Sequence, residues 1–167
     1  HIYCGGEGET FFSTSDIGWV VGHSYIIYGP LIAGMATVMY EGTPLRPDAG
    51  IWWQIVEKYK VTVMFSAPTA ARVLKKQDPA FMHKYDLSSL KHIFMAGEPL
   101  DQPTHEWFMT ELQKPVIDNY WQTETGWPML AALPGVEKTA IKYGSPSFPV
   151  YGYNLQIFRE DGSVCGA

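Results

Sequence analysis

"VTVMFSAPTAARVLKK" (residues 61–76) and "LKHIFMAGEPLDQPTHEWFMTELQKPVIDNY" (90–120) decide how this chain folds. Each opens on a short apolar run, Val61–Phe65 and Leu90–Met95, and leaves it through a glycine- or proline-marked exit into a stretch with helical spacing. The first helix is expected over Pro68–Leu74, beginning at its proline. The second is expected over Asp101–Leu112 with Pro103 in its first turn, where a missing N–H costs no hydrogen bond. Pro115–Tyr120 then reads as a third strand. Strand, helix, strand, helix, strand predicts an α/β fold built on a mainly parallel sheet flanked by helices.

Outward from that centre the pattern is less regular. Ile51, Trp52, Ile55, Val56 and Tyr59 recur at spacings of three and four, which predicts a helix over 50–59, with Trp52 and Trp53 as a core pair. Met35–Tyr40 reads as a buried strand closed by the turn Glu41–Pro44, and residues 24–33 as an apolar stretch punctuated by Gly29, Pro30 and the nearby Gly34. From Gly144 the text turns to Pro, Gly and Tyr. Asn154–Phe158 followed by Glu160-Asp161-Gly162 predicts a strand entering a hairpin. The expected division is a parallel α/β subdomain over 1–143 and the start of a β-rich segment over 144–167.

With 46% hydrophobic and only 17% charged residues, the chain is too apolar for disorder and reads as a packed piece with one core. A net charge of −5, with no basic run longer than Lys75-Lys76, argues against nucleic acid and anionic membrane and for small-molecule partners. Cys4 and Cys165 stand near opposite ends without a CxxC or a neighbouring histidine, so neither a zinc site nor a disulfide framework is signalled; an intracellular compartment fits. No apolar run is long enough to span a bilayer. The opening His-Ile-Tyr-Cys-Gly-Gly, without an initiator Met or a signal-peptide pattern, reads as the middle of something longer.

In an open parallel sheet, ligands bind beyond the carboxyl ends of the strands, so the strand exits are the candidate site. These are Ser66-Ala67-Pro68-Thr69, Ala96-Gly97-Glu98-Pro99 and Trp121-Gln122-Thr123-Glu124-Thr125-Gly126. The second offers a glycine for close backbone approach beside a carboxylate. The third offers hydroxyls and a carboxylate able to meet a phosphate and its magnesium, and Tyr120 and Trp121 offer flat faces to a ring or an apolar tail. Read blandly, Gly-Glu-Pro is a turn, and Thr123 or Thr125 merely caps a helix. His23, His83, His92 and His105 share no metal-ligand spacing; Gly22–Ile26 lacks the last glycine of a nucleophile elbow; Gly6-Glu7-Gly8 is no dinucleotide fingerprint; and no Walker-type lysine loop occurs. What remains is a hydroxyl-and-carboxylate site with aromatics, short of cations.

"SDIGWVVGHSYIIYGPL" (15–31), "MFSAPTAARVLKK" (64–76), "MAGEPLDQPT" (95–104), "DNYWQTETGWPM" (118–129) and "YGSPSFPVYGYNLQIF" (143–158) together resemble the acyl-CoA synthetases of the adenylate-forming superfamily. Within it the resemblance is strongest to propionate-CoA ligases, close relatives of acetyl-CoA synthetase. It implies a piece of the large N-terminal domain of an enzyme using ATP, magnesium and coenzyme A. A carboxylate would give an acyl-adenylate and pyrophosphate, and the thiol would then displace AMP. By similarity, Gly97, Glu98 and Pro99 line the adenosine, and Asp118, Asn119, Tyr120, Trp121, Gln122 and Thr123 wrap adenine and α-phosphate, with Tyr120 stacking. Thr123 and Glu124 are the catalytic candidates, Thr123 donating to the α-phosphate and Glu124 holding the magnesium.

The same resemblance makes Trp121 the floor of an acyl pocket, with Val20, Val21 and Ala96 lining it and Trp19 gating it. An indole there implies short acids. Ala96 stands where acetate-specific relatives carry valine, so propionate is the expected acid, with acetate and other short acids as poorer substrates or alternative assignments. Val21 for threonine and Ser147 for glycine also depart from the acetate pattern. The family's phosphate loop should lie upstream of His1, and its ribose-binding aspartate, arginines, hinge and lid lysine downstream of Ala167. The chain alone is therefore expected to be inactive, and its setting cytoplasmic, or the mitochondrial matrix in a eukaryote. The competing readings are a non-catalytic nucleotide-binding module and a purely structural set of turns.

Overall fold

In a computed structural model that describes residues 3–137 and 139–165, a seven-stranded sheet runs in the order β2-β1-β3-β4-β5-β6-β7. Five strands are parallel: β1 (Thr10–Ser13), β2 (Ala36–Val38), β3 (Val63–Ser66), β4 (His92–Met95) and β5 (Val116–Tyr120). Two short antiparallel strands, β6 (Leu130–Ala131) and β7 (Phe148–Pro149), extend the β5 side. The mainly parallel α/β architecture expected from the sequence is the one observed. The sheet runs on past residue 144, since β7 pairs with β6 and Val150 is buried with Ala131 and Leu133.

Alternation along the strands fills both faces. Phe12, Met64, Ile93, Met95 and Val116 join Trp52, Trp53, Leu90 and Phe108 in one cluster, packed by α3 (Ile51–Tyr59), α4 (Pro68–Lys75) and α6 (Gln102–Leu112). Phe11, Val63, Phe65, Phe94 and Ile117 join Tyr3, Met35 and Ala132 in the other. A strand apolar on both faces reads as an unbroken hydrophobic run, which is why "VTVMF" and "HIFM" were legible. Each fully buried aromatic or aliphatic side chain contributes about 1.5–3 kcal/mol of transfer free energy, so Phe94 at the centre is among the most costly to lose.

The helices start and stop where local chemistry says. Pro68 and Pro103 sit in first turns; the Asp101 carboxylate caps α6 by accepting from the Thr104 N–H at 3.0 Å; and α6 closes on Gln113 in the left-handed region at φ 53°. Three readings need correction, and two short elements carry no reading at all. Residues 24–33 are not merely punctuated: α1 (Val20–Gly22), a π-helical turn (His23–Tyr28) and α2 (Gly29–Ile32) follow one another without a break. Met35–Tyr40 is not a buried strand, because β2 lies at the sheet edge and Met39 is 69% exposed. Asn154–Phe158 forms no strand; only an isolated bridge, Phe158 to Val164, holds the turn around Gly162. Lastly β1, adjacent to the central β3, is too short for its pattern to be noticed, and α5 (Ala80–His83) is equally brief.

Candidate functional site

Because β1, β3, β4 and β5 are parallel, their exits emerge on one edge, and a cleft of about 550 Å³ opens there. From the β1 side come Ser15, Asp16, Trp19 and the α1 residues Val20 and Val21; β3 gives Phe65, Ser66 and Ala67; β4 gives Ala96 and Gly97; β5 gives Trp121, Gln122 and Thr123. Ala96 and Phe65 are buried, Trp121 is half-buried, and Trp19 stands 71% exposed. One end of the cleft is thus apolar, walled by Val20, Val21, Ala96 and Trp121, and the other carries amide and hydroxyl groups. The Thr14 hydroxyl donates to Ser66 Oγ at 2.9 Å, tying the β1 exit to the β3 exit.

Gly97 has φ 104°, and a Cβ built on it would meet nothing within 4 Å. Glycine is required here by conformation and leaves bare backbone facing the cleft. After Tyr120, 48% exposed, the chain turns through Gln122–Gly126: the Thr125 and Gly126 N–H groups donate to Gln122 O at 3.1 Å, and Gly126 takes φ 72°. Gln122, Thr123 and Glu124 are left exposed on this turn.

Not every expected residue faces the cleft. Glu98 is turned to α4, where it accepts from the Thr69 hydroxyl and from Arg72 Nη1 at 2.8 Å. The same guanidinium donates through Nε to Asp101 at 2.8 Å and through Nη2 to Pro99 O at 3.2 Å, so one arginine fixes the whole Gly97–Asp101 exit. Thr69 and then Arg72 hold the Glu98 carboxyl below its ordinary range, and Arg72 holds Asp101 down to about 2. Pro99, Tyr120 and Glu124 lie outside the lining but adjoin it in sequence. No local pattern marks Arg72, because its partners stand 26 to 29 residues away. Ser66 lines the cleft as its place at a strand exit predicts, whereas Ser15, Asp16 and Phe65 line it with no local motif to mark them.

Asp118 and Asn119 send their side chains inward. Asn119 donates to Met95 O at 2.9 Å, and Asp118 accepts from the Leu100 N–H at 3.3 Å, so β5 is stitched to the β4 exit from behind. Burial raises Asp118 from 3.8 to about 6, only partly offset by the Leu100 and Asn119 N–H groups. Since the folded value lies above the unfolded one, its contribution is full below pH ~4 and lost as the pH rises through ~6. Asp118→Asn, which keeps an acceptor, is therefore expected to melt higher than the native chain above pH ~6, with the gap closing toward pH ~4. Thermal melts across that range check this; a constant gap would show that the carboxyl does not titrate in the window.

Among the described residues, no group of three or more His, Cys, Asp or Glu is placed to hold a metal by itself, and no helix is long and apolar enough to cross a membrane. Asp16 in the cleft lining and Glu124 on the adjoining turn are single carboxylates, able to share a magnesium only with ligands from elsewhere. No lysine or arginine lines the cleft among the described residues.

A family model described as AMP-binding enzyme matches residues 1–166. The chain is 58% identical over 166 residues to a propionate–CoA ligase of Escherichia coli K12, covering 99% of this chain and 26% of that protein. It is 43% identical over 160 residues to an acetyl-coenzyme A synthetase of Wolinella succinogenes, covering 94% of this chain and 24% of that protein. The chain thus spans about a quarter of the length of the curated relatives it matches.

Proposed function

Because the chain belongs to the AMP-binding enzyme family, we propose that it supplies the acyl and adenylate cleft of a longer AMP-forming ligase that joins a short carboxylic acid, with propionate favoured, to coenzyme A. The observation that carries this is the single cleft in which four parallel-strand exits meet, apolar at the end closed by Ala96 and Trp121 and polar at Gly97, Gln122 and Thr123.

In this reading the acid's tail lies against Val20, Val21, Ala96 and Trp121, and its carboxylate points toward Thr123. The exposed face of Tyr120 and the bare backbone at Gly97 receive adenine and ribose, with Pro99 beside them and Glu98 acting through its hold on Arg72. Asp118 and Asn119 support that wall from behind. Thr123 and Gln122 donate to the phosphate oxygens as the acid displaces pyrophosphate from ATP. The thiol of coenzyme A then takes the acyl group and releases AMP. Glu124 would hold the magnesium, which neutralises charge on the phosphates. Trp19, exposed at the mouth, is placed to cover the tail between the two steps. The cations needed at the phosphates would come from the remainder of the protein, so residues 1–167 alone should show no turnover, and the cytoplasmic setting belongs to the same proposal.

Acid-dependent exchange of pyrophosphate into ATP, run on the intact protein with acids of two to eight carbons, tests the reading. Activity should peak at propionate. A peak at octanoate, or binding of a propionyl-adenylate analogue with no exchange for any acid, would overturn it. In the same assay Arg72→Met should raise the KM for ATP about tenfold and leave the KM for propionate nearly unchanged, because the clamp is on the nucleotide side. Arg72→Lys should not restore it, since an ammonium cannot span Glu98, Asp101 and Pro99 O together.

A further inference from the structure

Behind the acyl end of the cleft lies a second, apolar recess of about 230 Å³, walled by Tyr3, Phe11, Tyr25, Pro30, Met35 and Trp127. It exceeds the ~150 Å³ apolar void that takes up a benzene ring. Two contacts join the wall of the recess to that of the cleft: Tyr3 on Phe65 at 5.5 Å, and Tyr25, carried on the π-helical turn His23–Tyr28. Its ring stacks on Phe65 at 5.7 Å and 21°, and meets Trp121 edge-on at 5.3 Å and 88°; both of those residues line the cleft. Tyr3 presses on it from the recess side at 4.9 Å. The phenol donates to Gly126 O at 3.1 Å, and burial pushes its pKa up to about 12, so it remains a donor. Tyr25 therefore holds two things together: the pose of Trp121 and the closing residue of the Gln122–Gly126 turn.

We propose that Tyr25 is a specificity-determining positioning residue, the partition that keeps the acyl cleft separate from the Tyr3–Trp127 recess, and that this apolar recess is able to take the tail of a longer aliphatic acid once Tyr25 is removed. This rests on the ligase reading above. Trp121 is a floor only while Tyr25 braces it; without the brace the indole gains a space to move into, and the tail gains a path. The ring and the hydroxyl have separable roles, since the ring blocks the path and the hydroxyl only ties down Gly126.

The test is acid-dependent pyrophosphate exchange on the intact protein, comparing kcat/KM for hexanoate and propionate. Tyr25→Leu should raise the hexanoate-to-propionate ratio at least tenfold, while Tyr25→Phe, which keeps the ring, should leave it within about twofold of the native value. Adding Ala33→Leu, which enlarges another residue of the recess wall, should bring the Tyr25→Leu ratio back down. Should Tyr25→Leu fail to fold, Tyr25→Met, whose flexible side chain fills more of the void, is read in the same way. A folded, propionate-active Tyr25→Leu or Tyr25→Met with the native ratio would overturn the partition and leave the ligase reading standing. A raised ratio that survives Ala33→Leu would also overturn it, because the tail would then lie elsewhere. Failure of the native protein with every acid would bring down both readings together.

Discussion

Trp121→Gly is expected to move the acid preference from propionate to hexanoate or longer, changing the ratio of their kcat/KM values by roughly 10²–10³-fold, at about 1.4 kcal/mol per methylene, toward the low end of the usual range, over the two or three methylenes uncovered. The indole is half-buried, lines the cleft opposite Ala96, and is backed by Tyr25. Its removal both deepens the cleft and takes away the contact that positions a short tail, so the gain for long acids should come with a loss for propionate. Pyrophosphate exchange with the acid panel measures both. A variant that remains most active on propionate, after circular dichroism has shown it folded, would mean that some other group sets the depth. The expected size exceeds that for Tyr25→Leu because glycine opens the floor itself, whereas losing Tyr25 only unbraces it.

Glu124→Gln should lower the rate of adenylate formation by about 10²–10³-fold, the size of loss seen when one preorganised electrostatic group is removed from a catalytic site. The carboxylate is exposed on the Gln122–Gly126 turn and, among the described residues, makes no hydrogen bond or ion pair that its amide would break, so folding should be unaffected. Two readouts separate this from a general weakening. The magnesium concentration giving half-maximal rate should rise, and the KM for propionate should not. An unchanged magnesium dependence would mean that Glu124 is not the group that meets the metal.

The parts of the molecule legible in the sequence are those decided within one element. The runs at 61–65 and 90–95 announce strands because each is apolar on both faces, and Pro68, Asp101 and Pro103 mark helix starts because capping is a matter of adjacent backbone groups. The loops that line the cleft were legible for a related reason: a parallel sheet sends every carboxyl end to one edge. Strand β1 was not legible, since four residues give too little pattern, and neither was the π-helical turn, whose spacing departs from the helical period being sought.

The sequence alone thus determined the α/β class, the parallel core and the exits that line the cleft after β3, β4 and β5, because periodicity, proline and glycine act over a few residues. Tertiary structure decided what those exits do to one another. Arg72 reaches Glu98 and Asp101 across 26 and 29 residues, Tyr25 reaches Gly126 across 101, and Asp118 is raised to about 6 by what surrounds it. Desolvation and side-chain reach are properties of the assembled sheet. No local pattern encodes them, so only the folded chain shows that Glu98 is held by α4, that Asp118 is turned inward, and that Tyr25 packs on both Phe65 and Trp121.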